Sequence, residues 1–127
     1  MTLLEPVRFA PIPVPRPWGG DRIARRFGRG RGEGGGGSPE KVGESWEVAD
    51  RAGAESVVAA GPGEGGTLRE LVEADPAGVY GAARAAFEEG RFPLLVKFLD
   101  CADLLSVQVH PDEETALENR PGLAREH

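Results

Sequence analysis

The chain has 127 residues, a formal net charge of -6 and a single cysteine. The length predicts one domain, and one cysteine excludes an intramolecular disulfide and any multi-cysteine zinc site. With 19 Gly and 11 Pro, nearly a quarter of the chain, the composition argues against a helix bundle and for short strands and turns.

Met1 to Pro6 lack the charged and apolar regions of a signal peptide, so a cytoplasmic setting is expected. Val7 to Val14 reads as an extended segment that Pro11, Pro13 and Pro15 confine to an edge or an irregular path. Trp18-Gly19-Gly20 reads as a turn, after which Asp21 caps a short helix, Arg22 to Phe27, stopped by Gly28. Residues 28–38 contain no apolar side chain and predict a flexible Gly/Arg-rich loop within the domain.

Beyond this loop, Glu44 to Ala49 and Glu55 to Ala60 alternate at period two. They predict two strands joined by a turn near Arg51 to Gly53. Residues 61–66 form a second turn, and Thr67 with Glu70 makes a capping box for a helix from Leu68 to about Ala74. Residues 81–89 read as helical. Phe92 to Asp100 and Leu104 to His110 are strand candidates, and Pro111 opens a last helix, Asp112 to Asn119. No apolar run reaches the ~18 residues of a membrane span.

Three features carry possible chemistry. Ser106, Gln108 and His110 are two apart, so on a strand they share one face, with Val107 and Val109 on an apolar core face opposite. An imidazole beside an amide oxygen suits zinc, although from spacing alone a solvated, hydrogen-bonded face is the commoner use of such a pair. Lys97 interrupts an apolar run and needs a partner. Asp100, Asp103 and a bound anion all qualify. Trp18 fits either stacking on a ring or packing against the chain.

Other residues read as structural. Cys101 follows an apolar strand and is expected to be buried and inert. Glu44 and Glu47 fall on opposite faces of their strand and form no paired-carboxylate site. The Arg/Gly stretch has a single aromatic neighbour, Phe27, and the chain has 21 acidic against 15 basic residues. Nucleic acid is therefore a poor partner.

Five segments occur together: Pro17-Trp18-Gly19-Gly20, Gly43 to Val48, Gly66 to Leu71, Phe92 to Asp100 and Leu105 to Asp112. Their order and residues resemble type I mannose-6-phosphate isomerases, over nearly the whole chain except the Gly/Arg insert. The most specific are Pro-Leu-Leu-x-Lys-Phe and Leu-Ser-x-Gln-x-His-Pro-Asp. The resemblance implies a mainly β fold with added helices, a cupin-type β-sandwich or jelly roll. It also implies interconversion of mannose 6-phosphate and fructose 6-phosphate with one zinc ion. Gln108 and His110 would be two of four protein ligands. Lys97 would be catalytic, and Trp18, Ser106 and Lys97 would line the site for the phosphorylated hexose.

The family's third ligand is a glutamate in Gly-Lys-x-Glu. Glu126 is the nearest candidate here, without the lysine, and the alternative is a motif lying past His127. The fourth ligand, a later histidine, has no counterpart. The resemblance thus makes residues 1–127 an N-terminal part of a single cupin-like catalytic domain, partnered by a missing C-terminal half. A non-catalytic cupin-like module that binds sugar or metal is the other reading.

Overall fold

A computed structural model describes residues 5–28, 41–86, 91–109 and 112. Among the described residues, seven short strands and three α-helices follow one another. β1 (Arg8–Phe9), β2 (Ile12–Gly20), α1 (Arg22–Phe27), β3 (Val42–Val48), β4 (Asp50–Arg51) and β5 (Ala54–Glu55) come first. β6 (Val58–Ala60), α2 (Leu68–Ala74), α3 (Pro76–Tyr80), a 3-10 turn (Gly81–Ala86) and β7 (Val96–Leu99) complete the order.

The main sheet is antiparallel, in the order β2-β3-β7. β2 lies at its edge, which is why prolines at alternate positions are tolerated there. β1 pairs with β6, and β4 with β5 through the expected turn. Ser56 closes that hairpin twice: its N–H donates to Ala49 O and its hydroxyl accepts from Ala49 N, both at 2.8 Å. The core comprises Ile23 and Ala24 of α1, Val42, Ala49, Val58, and Leu68, Leu71 and Val72 of α2.

Local signals translate directly. Thr67 Oγ1 accepts from Glu70 N at 3.1 Å while Glu70 returns a bond to Thr67 N at 2.7 Å, the reciprocal box expected. Gly28 ends α1 with φ 68°. Helix α3 was not anticipated, although Asp75-Pro76 is a cap followed by a first-turn proline. The Asp75 carboxylate accepts from Gly78 N at 2.8 Å.

Trp18-Gly19-Gly20 is not a turn but the end of β2. These glycines are needed for close approach. A Cβ on Gly19 would stand 2.6 Å from Gly43 N, and one on Gly20 2.6 Å from an Asp100 carboxylate oxygen. Asp21 does not cap α1 with its side chain, which pairs instead with Arg25 at 2.6 Å. The cap comes from Asp100, whose Oδ2 accepts from Arg22 N at 2.6 Å and Ile23 N at 3.2 Å.

Of Phe92 to Asp100, the strand proper covers Val96–Leu99. Residues 104–109 form no strand, because no neighbouring strand among the described residues supplies a ladder. Val107 (97% exposed) and Val109 (87%) therefore line no core face. Cys101 is exposed, bridging Gly19 at the end of the sheet, and the burial expected for it does not hold. Residues 29–38 of the Gly/Arg-rich loop, 87–89 of the third predicted helix, and the last helix apart from Asp112 lie outside the described residues.

Candidate functional site

The register of the main sheet assembles a polar cluster from three strands. Trp46 of β3 stands opposite Lys97 of β7, and Glu44 opposite Leu99. Because Glu44 and Trp46 are two apart, both side chains emerge on the face that Lys97 shares. Glu44 Oε2 accepts from the Trp46 indole Nε1 at 2.7 Å and from Arg16 Nη2 of β2 at 3.4 Å. Glu44 Oε1 accepts from Lys97 Nζ at 3.2 Å. The partner that Lys97 requires is thus Glu44, not Asp100 or Asp103.

Exposure divides the cluster by role. The Glu44 side chain is 7% exposed, whereas Lys97 and Arg16 keep 34% and 39% of theirs open to solvent. Burial works to raise the Glu44 pKa. Hydrogen bonds from Trp46, Arg16 and Lys97, with the charge of Lys97, outweigh it and hold the group below its ordinary 4.5. A fixed carboxylate therefore sits beneath two cations that face outward, an arrangement able to receive an anionic, hydroxyl-bearing ligand.

A second buried carboxylate, Asp50, anchors the segment that leads into β7. Asp50 Oδ1 accepts from Arg69 Nε at 3.1 Å and Nη2 at 2.7 Å, and Oδ2 accepts from Phe92 N at 2.8 Å. Helix α2 is thereby tied to the segment that delivers Lys97.

Trp18, half-buried on β2, packs over the backbone of β3. A Cβ on Gly43 would come within 3.0 Å of its Cζ3. Ser106 and Gln108 are exposed, and the Gln108 amide nitrogen lies 3.4 Å from Ser106 Oγ, as expected for residues sharing a side. His110 and Glu126 lie outside the described residues.

The family model for the catalytic domain of type I phosphomannose isomerase matches residues 15–122, which include Arg16, Trp18, Glu44, Lys97, Ser106, Gln108 and His110 but not Glu126. The chain belongs to this family.

Mannose-6-phosphate isomerase ManA of Bacillus subtilis is 39% identical over 88% of the chain, and the mannose-6-phosphate isomerase of Streptococcus mutans is 37% identical over 85%. The crystal structure of a Bacillus subtilis mannose 6-phosphate isomerase superimposes with a TM-score of 0.68 at 37% identity, over 90% of this chain. A mutant phosphomannose isomerase from Salmonella typhimurium, 23% identical, shares the fold with a TM-score of 0.69. The fold is thus part of a cupin-type sandwich, mainly β with helical additions. The chain spans about a third of the length of these relatives: 32% and 31% of the two sequences, 33% and 28% of the two structures.

Metal-dependent members of this phosphomannose isomerase family need several donors, and the described residues supply few. No group of three or more His, Cys, Asp or Glu among them could hold a metal ion. Of the predicted donors, Gln108 alone lies among the described residues. Gln108 directs its nitrogen toward Ser106, which leaves its oxygen as the end open to a cation, and an amide oxygen suits zinc when imidazole and carboxylate donors join it. Sequence reasoning set Glu44 aside as structural and missed its place in the cluster. The signal was its period-two relation to Trp46, but no local pattern says that Lys97 stands across from it.

Proposed function

We propose that this chain is the N-terminal part, residues 1–127, of the catalytic domain of a cytoplasmic, zinc-dependent mannose-6-phosphate isomerase. The remainder of the domain completes the site. The observation that carries this reading is the three-strand cluster in which Arg16 and Lys97 lie over a buried Glu44, within a chain of this family.

The reaction moves a proton between two adjacent carbons of the sugar, with an enediol between aldose and ketose. Negative charge grows on the neighbouring oxygen as the carbon-bound proton leaves. Lys97 would stand beside that charge and stabilise it, a fixed cation needing little reorganisation. Ser106 would hydrogen-bond a sugar hydroxyl, and Trp18 would border the mouth of the site with its ring. Gln108 and His110 would hold the zinc, together with Glu126 or a glutamate beyond it. When bound, the ion supplies Lewis acidity toward the sugar oxygens.

The test is an isomerase assay with zinc titration. It uses the chain alone and the chain extended by the C-terminal two-thirds of the Bacillus subtilis enzyme. The extended chain is expected to bind one zinc and to form fructose 6-phosphate from mannose 6-phosphate, and the short chain to be inactive. A folded, zinc-loaded extended chain without turnover would leave a non-catalytic sugar- or metal-binding module instead.

A further inference from the structure

We propose that Glu44 is the positioning residue of the site. It holds Lys97 in place through the same carboxylate that anchors Trp46 and Arg16, and it takes no proton from the sugar itself. This deepens the isomerase reading and rests on it for the role of Lys97, while the contact between the two residues stands on geometry alone.

Four observations support the assignment. Glu44 is 5% exposed as a residue, so it lies beneath the surface that a ligand reaches, whereas Lys97 is partly open. Its two oxygens are divided: Oε2 takes Trp46 at 2.7 Å and Arg16 at 3.4 Å, and Oε1 takes Lys97 at 3.2 Å. The indole anchor is neutral and packed on the same strand, so the carboxylate keeps its orientation whatever the two cations do. Finally, β7 is an edge strand, and an unpinned lysine there has four freely rotating carbons with which to leave the site. Glu47, on the same strand, accepts from Ser45 Oγ at 2.8 Å on the opposite face, and Asp100 is committed to the cap of α1, so neither substitutes.

Lys41 and Lys97 are the only lysines in the sequence, so an amine-acylating reagent followed by peptide mass spectrometry reads both in one experiment. In the wild-type chain Lys97 is expected to react several-fold more slowly than Lys41. Glu44→Gln should release Lys97 to a rate near that of Lys41 while Lys41 itself is unchanged. Unchanged Lys97 labelling in a variant with wild-type circular dichroism would overturn the proposal. Should Glu44→Gln unfold, Glu44→Asp decides. It keeps the charge one methylene shorter, and should raise Lys97 labelling part-way. No rise in that variant overturns the assignment equally.

In the zinc-loaded extended protein, Glu44→Gln is expected to lower kcat by about 100-fold with KM little changed, the signature of a misplaced group. Glu44→Asp should restore part of the rate. A rise in KM at constant kcat would instead make Glu44 a substrate-binding group. If the extended wild type lacks turnover, the isomerase reading fails, yet the labelling result still decides whether Glu44 holds Lys97.

Discussion

At the scale of single residues, Glu44 provides a titration that can be followed directly. Its carboxyl lies below the ordinary value of 4.5 in the folded chain because hydrogen bonds and the Lys97 charge outweigh burial. Its ionised form therefore contributes stability that is fully present above 4.5 and is lost as pH falls through the lower folded value. There are two tryptophans, hence two indole N–H signals in a nitrogen–proton correlation spectrum. The Trp46 signal, bonded to Glu44, is expected to shift with a midpoint below 4.5, and the Trp18 signal to stay still. A Trp46 midpoint at or above 4.5 would mean that burial dominates and the network is not formed.

At the scale of elements, what was legible in the sequence depended on the distance between partners. The capping box of Thr67 and Glu70 and the Gly28 stop of α1 involve groups within one helical turn, and both were read correctly. The period-two runs gave β3, but the second expected strand, Glu55 to Ala60, is broken into β5, which pairs with β4, and β6, which pairs with β1, because the partners that divide it lie elsewhere in the chain. The true cap of α1 comes from Asp100, 78 residues after Arg22, and the partner of Lys97 is 53 residues before it. Nothing local announces such pairs. The glycines at 19 and 20 misled for a related reason: a glycine that admits a neighbouring strand is spelled like one that makes a turn.

The Asp100 cap is open to test. Asp100→Ala should expose two unpartnered N–H groups at the start of α1 and destabilise the chain by about 1–2 kcal/mol, read from the urea midpoint. Asp21→Ala, which removes a surface ion pair instead of a cap, should cost under ~1 kcal/mol. Equal losses in the two variants would contradict the assignment of the cap to Asp100.

At the scale of the whole molecule, β7 has one neighbour in the main sheet among the described residues, and its cover is slight, the Phe27 ring of α1 stacking on Phe98 at 5.4 Å. Val96, Phe98 and Leu99 are each about half exposed, and Leu104, Val107 and Val109 almost fully so. An open strand edge flanked by apolar side chains favours association between copies. Sedimentation of the chain at rising concentration is expected to show self-association, relieved in the extended protein where further strands cover the edge. A strictly monomeric, cooperatively unfolding chain would show that the edge needs no cover.

The ligand candidates sit at this same unfinished margin. Ser106 and Gln108 follow β7 in irregular chain, near each other as expected but without the strand that the alternation predicted. A strand requires a neighbour, and the described residues provide none there. The most direct measurement of the account is the rate of mannose 6-phosphate isomerisation by the zinc-loaded extended protein, with and without Lys97→Met. The prediction is measurable turnover that the substitution lowers by at least about 100-fold at unchanged zinc content. Undiminished turnover in Lys97→Met would contradict it.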